Sequence, residues 1–371
     1  MNSLLQQHTL AIFGLSLVLI VIASFVLSTA LDRVGAWLRL SAGLVGIITA
    51  LGADSPEISS AITALTSGHR DVGLGVVLGS NLFNLASLLG LSAVAAGSVR
   101  ARVPVVALNG GVGLAMLAIA GLLIYGTVSG ALGLGLMALI FVPYVVVSAL
   151  HPHHVEALRF LPTPVRAFLA VAVAPTARFE EATLDADRAR DARKLRAAQD
   201  AAGPASDADG GEASAPLAAI GPATFEALAL VPALVAIVLG SIGMVDTALA
   251  LGSRWHIAQS IIGALVLAAL TGIPNAVAAV RLAMEGRGAV VVSEALNSNT
   301  LNLMVGIACP ALAIGLGSPT RFAVLGLWWL VASTVLALAL MLRGGRLGRR
   351  EGIVVVVVWA AFAAVTIATA S

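Results

Sequence analysis

Apolar residues run along this chain in long blocks separated by short polar turns, without the alternation of a half-buried strand. A helix needs about 20 such residues to cross ~30 Å of hydrocarbon. Ten blocks reach that length, near 9–29, 42–67, 72–97, 103–125, 130–149, 223–246, 257–285, 289–316, 321–342 and 352–370. The pair within 103–149 is the least clearly divided. The first block has no basic leader and too long an apolar core for a cleaved signal, so it reads as a retained span.

Composition removes the alternatives. Hydrophobic residues make up 59% of the 371 and charged ones 11%, against roughly 25% charged in a soluble domain. A globule this apolar could not cover its surface, so much of that surface faces lipid. Disordered, disulfide-stapled and nucleic-acid-binding classes are excluded as well, and the one cysteine, Cys309, can form no intrachain disulfide. No GxGxxG or GxxxxGK[ST] pattern stands in a strand-to-helix context, so no nucleotide drive or cofactor is expected.

Charge divides the chain. Residues 151–222 hold 8 of the 21 basic and 10 of the 19 acidic residues. This predicts a first five-helix membrane repeat over 1–150, a loop and linker over 151–222, and a second five-helix repeat over 223–371. Within the middle segment, Val155–Ala174 has the character of a surface-lying helix. Arg178–Gln199 reads as a solvated helix, and Asp200–Pro216 as a flexible linker. The cluster His151, His153 and His154 reads as solvated histidine rather than a metal site. Trp37, Trp255, Trp328 and Trp329 include expected interfacial anchors. Basic residues fall 18 to 3 on two sides, the minority being Arg70, Arg254 and Arg321. By the positive-inside rule the central segment is cytoplasmic and both termini lie outside a cell (inner) membrane.

Shifting the chain by 218 residues brings two stretches into register. GADSPEISSAITALTSG around Pro56 meets LTGIPNAVAAVRLAMEG around Pro274, and GSNLFNL (Gly79–Leu85) meets NSNTLNL (Asn297–Leu303). Ala50/Ala268, Pro56/Pro274, Gly68/Gly286, Ser80/Ser298, Asn81/Asn299 and Asn84/Asn302 match without an insertion. Five spans separate the copies, so the second crosses in the opposite sense. Inverted repeats with broken helices near the midplane point to a transporter's binding site.

The residues at those positions carry hard-cation chemistry. Asp54 and Glu57 are three apart, on one helix face. Pro56 between them frees a carbonyl about one turn earlier. Two carboxylates and unpaired carbonyls suit Ca²⁺, Na⁺ or H⁺. A carboxylate near the bilayer centre costs several kcal/mol unless paired or hydrated. Ser80 and Asn84 share a face of the third span, and Ser298 and Asn302 repeat them on the eighth. They serve either as neutral oxygen ligands or as hydrogen-bonding glue between helices. Thr271 and Asn275 occupy the positions of Ala53 and Glu57. Glu294, four residues before Ser298, either supplies a compensating acid, pairs with Arg281, or faces a watery vestibule.

GADSPE followed by GSNLFN resembles the alpha-repeats of the sodium/calcium exchanger family, within the Ca²⁺:cation antiporter superfamily. Their usual form is G-T-S-x-P-E, then about two dozen residues, then G-S-N-x-x-N or G-S-N-x-x-D. The resemblance implies an all-α integral membrane protein of ten helices in two inverted five-helix repeats. It implies that Glu57 is the principal cation carboxylate, that Ser80 and Asn84 are oxygen ligands, and that the backbone carbonyls of Ala50 and Ala268 contact ions. Asp54 stands where the family has serine and Ala53 where it has threonine. In the second copy Thr271 matches the family's threonine, Gly272 replaces serine, Asn275 replaces the second glutamate, and Ser298 is retained. Asn302 stands where many exchangers have aspartate.

The activity implied is secondary antiport of Ca²⁺ for Na⁺ by alternating access, with proton-coupled exchange as the alternative. The partners would be the lipid bilayer and small inorganic cations, with no nucleic acid or nucleotide. A passive channel and a non-transporting scaffold use the same residues differently. An enzyme is not expected, since no Ser/Lys or His/Glu catalytic pairing is visible.

Overall fold

The computed structural model describes residues 2–38, 42–150, 155, 161–172 and 223–370. The histidine cluster at 151–154 and the expected helix and linker between 178 and 216 lie outside the described residues. Nearly everything described is helical. The helices are α1 (Asn2–Trp37), α2 (Ala42–Ala53), α3 (Ser55–Thr66), α4 (Arg70–Ala96), α5 (Val103–Ile124) and α6 (Gly130–Ala149). After the short α7 (Thr163–Ala172) come α8 (Ala223–Arg254), α9 (Gln259–Met284) and α10 (Gly288–Leu303, extended through Met304–Ala308 and Cys309–Ile314). The last two are α11 (Arg321–Leu342) and α12 (Arg349–Ala370). Strands β1 (Ser98–Arg100) and β2 (Arg346–Gly348) form a two-stranded antiparallel ribbon.

Among the described residues, eight helices are long and apolar enough to cross a membrane. The two remaining long stretches, 42–66 and 288–314, carry the break at Asp54 and the polar run from Asn297 to Asn302. The protein is an integral membrane protein. Helix α4 is its axis: 94% of its most apolar window is buried, against 17% for α6 and α12, which form the outer wall. Its glycines explain that position. A Cβ on Gly75 would lie 3.0 Å from the Ala264 amide nitrogen, and one on Gly79 would collide with the Ala264 carbonyl. Backbone thus packs on backbone between α4 and α9, as small residues permit in lipid. Helices α1 and α8 pair through Ala23, Leu27, Ala233 and Ile237.

The 218-residue offset extends well beyond the matched motifs. It superimposes the bounds of α5 on α11, 103–124 on 321–342, and the start of α4 on that of α10, 70 on 288. It also relates the turns. Gly68 (φ 85°) and Gly286 (φ 82°) end α3 and α9 in the left-handed conformation that glycine alone adopts cheaply. His69 N donates to Ala64 O and Arg287 N to Leu282 O, each at 2.9 Å, closing the same Schellman turn twice.

Those equivalent turns sit at opposite ends of the helical body. Gly288, just after the second, packs against the Arg100 backbone in the ribbon, whereas Arg70, just after the first, packs on Gly317. Arg70 and the ribbon are at opposite ends of α4, so the repeats are inverted. The ribbon end also carries Arg102, whose Nη1 donates to Val171 O of α7 at 3.0 Å. Within the 155–174 stretch expected to be helical, the described helix covers Thr163–Ala172. Of the four tryptophans, Trp37, Trp255 and Trp328 are exposed, whereas Trp329 packs inward, 6.0 Å from Phe362.

Candidate cation site at the crossing of the repeats

The sequence between Asp54 and Glu57 has the spacing of a capping box, an acid at the N-cap and Glu three residues on. The structure diverts both. Asp54 occupies the N-cap of α3 without making a side-chain cap bond. Its carboxylate reaches other helices instead. Oδ1 accepts from Ser298 Oγ of α10 at 2.7 Å and from Asn275 Nδ2 of α9 at 3.3 Å. Ser298 Oγ in turn accepts from Asn84 Nδ2 of α4 at 2.7 Å. Asn84, Ser298, Asp54 and Asn275 therefore form one chain across four helices, two from each repeat.

Glu57, in the first turn of α3, is buried at 1% exposure. Neither of its carboxylate oxygens has a hydrogen-bond partner. It faces α9: a Cβ added to Gly272 would lie 3.7 Å from Glu57 Oε1 and 2.7 Å from Phe83 Cδ1. Gly272 thus leaves room for the acid where the other copy carries Asp54. Five further buried polar atoms around this chain are also unpaired, namely Asp54 Oδ2, Ser80 Oγ, Asn84 Oδ1, and both amide atoms of Asn302. An unpaired buried polar group costs about 1–3 kcal/mol, more when charged. Six of these atoms are oxygens, carried on α3, α4, α10 and the α2–α3 break, and a cation bound among them would offset that cost.

Other expected ligands are placed differently. Thr271 turns its hydroxyl back into its own helix, donating to Leu267 O at 2.9 Å. The Ala50 carbonyl accepts from Asp54 N at 2.8 Å, and the Ala268 carbonyl lies 3.4 Å from the Thr271 hydroxyl. The carbonyl that Pro56 frees is that of Gly52. It is not available to an ion: Ser55 Oγ donates to it at 2.6 Å and Ser24 Oγ at 3.2 Å. The expected loose carbonyl is therefore absorbed by two hydroxyls. Arg281 pairs within its own turn, Nε donating to Glu285 Oε1 at 2.9 Å. Glu294 is half-buried.

Two polar elements escaped the sequence reading. On the pseudo-two-fold axis, Asn81 Nδ2 donates to Asn299 O and Asn299 Nδ2 to Asn81 O, both at 3.2 Å. The repeat offset relates these partners, and their coincidence in both copies was the available signal. The second is a cluster in which Tyr144 OH of α6 contacts Asn109 Oδ1 of α5 at 3.0 Å and Asn297 Oδ1 of α10. Its repeat counterparts are Phe362, Leu327 and Gly79, all without a polar side chain. Asn297 immediately precedes Ser298, so the cluster braces the helix that carries that hydroxyl.

Inverted helical repeats with acids and amides buried at their crossing define a membrane protein organised around a polar centre. The sequence matches the sodium/calcium exchanger protein family over residues 8–150 and 225–368, and the chain belongs to that family. The inner membrane protein YrbG of Escherichia coli K12 is 32% identical over 83 residues, a match spanning 22% of this chain and 25% of that protein. Two solved structures are similar in fold. The sodium-calcium exchanger NCX_Mj has a TM-score of 0.58 at 17% identity, covering 97% of this chain and 99% of its own. The H⁺/Ca²⁺ exchanger CAX has a TM-score of 0.66 at 13% identity, covering 98% and 86%. The ten-helix, two-repeat plan is consistent with that fold.

Proposed function

We propose that this protein is a secondary cation antiporter that exchanges Ca²⁺ for Na⁺ across the cytoplasmic membrane. Two five-helix units, 1–150 and 223–371, would be joined by a cytoplasmic 151–222 segment, with both termini outside. The observation that carries the reading is the group of buried oxygens without hydrogen-bond partners on Asp54, Glu57, Ser80, Asn84 and Asn302. Two carboxylates match the charge of one divalent cation, and the amide and hydroxyl oxygens complete a hard-oxygen donor set. The carbonyl end of α2 adds negative potential beside them.

Competition for one site enforces exchange. Closing the site around two uncompensated carboxylates, away from water, is costly, so the transporter reorients with an ion bound. Asn84 and Asn275 hold Ser298 and Asp54 from opposite repeats, so movement of either repeat alters the cage. Helices α1 and α8, paired with each other outside the α4 axis, are suited to move as a unit. Ser298, Asn275, Thr271 and the Ala50 and Ala268 carbonyls belong to the surrounding ligand set in this reading, with Glu294 contributing charge from the side.

Counterflow of ⁴⁵Ca in proteoliposomes tests it. An outward Na⁺ gradient should drive Ca²⁺ uptake with the pH clamped on both sides. Uptake driven only by a pH gradient would replace Na⁺ by H⁺ as the counter-ion. Flux down a single gradient with no counter-ion would refute antiport.

A further inference from the structure

At the ribbon end, a feature unrelated to cation exchange gathers positive charge. Arg100 and Arg346 are direct cross-strand partners. Arg346, Arg349 and Arg350 are all exposed. With Gly97, Gly348 and Glu351 they line a cleft of about 310 Å³. Arg349 is oriented by its own bond, Nε donating to Val94 O at 3.0 Å, which leaves its terminal nitrogens for a ligand. Glu351 is the one carboxylate among three lining guanidinium groups. The first turn of α12 opens here as well, and a helix N-terminus favours an anion.

The surface below the cleft identifies the anion's carrier. Ile353, Val354 and Val357 lie about one and two turns further along α12 from Arg349 and Arg350, on the same face. They are 48%, 45% and 57% exposed. A charged cleft above an uncovered apolar stripe matches an amphiphile, with a phosphate in the cleft and an acyl chain on the stripe. Free inorganic phosphate would use only the upper half.

We propose that this cleft is a binding site for the phosphodiester headgroup of an anionic phospholipid, held by Arg346, Arg349 and Arg350. The site is independent of the exchange reading and would stand if that reading failed.

The test uses the full-length protein in neutral detergent, with thermal unfolding followed against added phosphatidylglycerol, phosphatidylcholine or inorganic phosphate. Phosphatidylglycerol should raise Tm saturably, while the other two leave it unchanged. The double variant Arg346→Gln/Arg350→Gln should need on the order of tenfold more phosphatidylglycerol for the same rise. Arg254→Gln/Arg321→Gln, at the opposite end, should respond as the wild type. Native mass spectrometry of monodisperse protein gives a readout free of stability, with co-purified phosphatidylglycerol present in wild type and lost in the ribbon variant. An equal response in both double variants would overturn the proposal, as would inorganic phosphate reproducing the shift.

Discussion

The two repeats share a backbone plan and differ in chemistry. In the first, the helix through the crossing breaks at Asp54 and carries two carboxylates, Asp54 and Glu57. In the second, Gly272 and Asn275 occupy those positions and α9 continues through Pro274 as a single helix. A second asymmetry lies beside it: Asn109 and Tyr144 of the first repeat meet Asn297 of the second, whereas their equivalents Leu327, Phe362 and Gly79 have no polar side chain. One half thus supplies most of the charge, and the other supplies neutral partners that hold it. The comparison teaches that the inverted frame and the ion-binding groups vary separately. The glycine turns and the reciprocal Asn81–Asn299 pair keep the frame, while the site has been divided unequally between the copies.

The comparison can be broken most forcefully at Glu57. Glu57→Gln removes one of the two carboxylates from a site whose counterpart is already an amide. Na⁺-driven ⁴⁵Ca uptake should fall to the level of empty liposomes while the protein still inserts and elutes as a single species. Normal uptake would remove Glu57 from the mechanism.

Gly272→Ser restores the hydroxyl expected of the second copy, but the space is taken by Phe83 and faces Glu57. Overpacking of this kind costs about 1–3 kcal/mol, so a lower Tm in detergent is expected. An unchanged Tm would mean that the close packing of α9 on α4 does not constrain that position.

Asn84→Ala leaves Ser298 without its donor and removes an unpaired oxygen. A loss of about 1.4 kcal/mol corresponds to roughly tenfold in the half-saturating Ca²⁺ concentration, with little change in protein yield. An unaltered Ca²⁺ dependence would reduce Asn84 to helix packing.

Tyr144→Phe should have the smallest effect, about 1 kcal/mol of stability. The mirror change, Phe362→Tyr, should also destabilise, because no acceptor replaces Asn109 or Asn297 on that side. Chemical denaturation of both variants checks the pair. Stabilisation by Phe362→Tyr would contradict the described asymmetry.

Much of this plan was legible in the chain. Helix-breakers and amides are rare in apolar spans, so Pro56 with Pro274, Gly68 with Gly286, and Ser80 with Ser298 stand out at one common offset. What stayed hidden depended on contacts between distant segments. A single Tyr144 or Asn109 in an apolar helix reads as one tolerated polar residue, and its meaning comes from Asn297, more than 150 residues away. The carbonyl freed by Pro56 could be inferred from backbone chemistry, but Ser24 arrives on another helix to occupy it. Asp54 and Glu57 could be seen as neighbours, whereas the diversion of Asp54 from capping α3 to Ser298 and Asn275 required the fold.

The central claim is that Asp54, Glu57, Ser80, Asn84 and Asn302 enclose the transported cation. Anomalous diffraction from crystals of the protein soaked in Sr²⁺, a heavier Ca²⁺ substitute, tests this most directly. The account predicts a peak at the crossing of α3, α4 and α10, within about 2.3–2.6 Å of the Glu57 carboxylate and neighbouring oxygens, as for Ca²⁺. A peak elsewhere, with the Glu57 oxygens bonded only to protein or facing lipid, would contradict it.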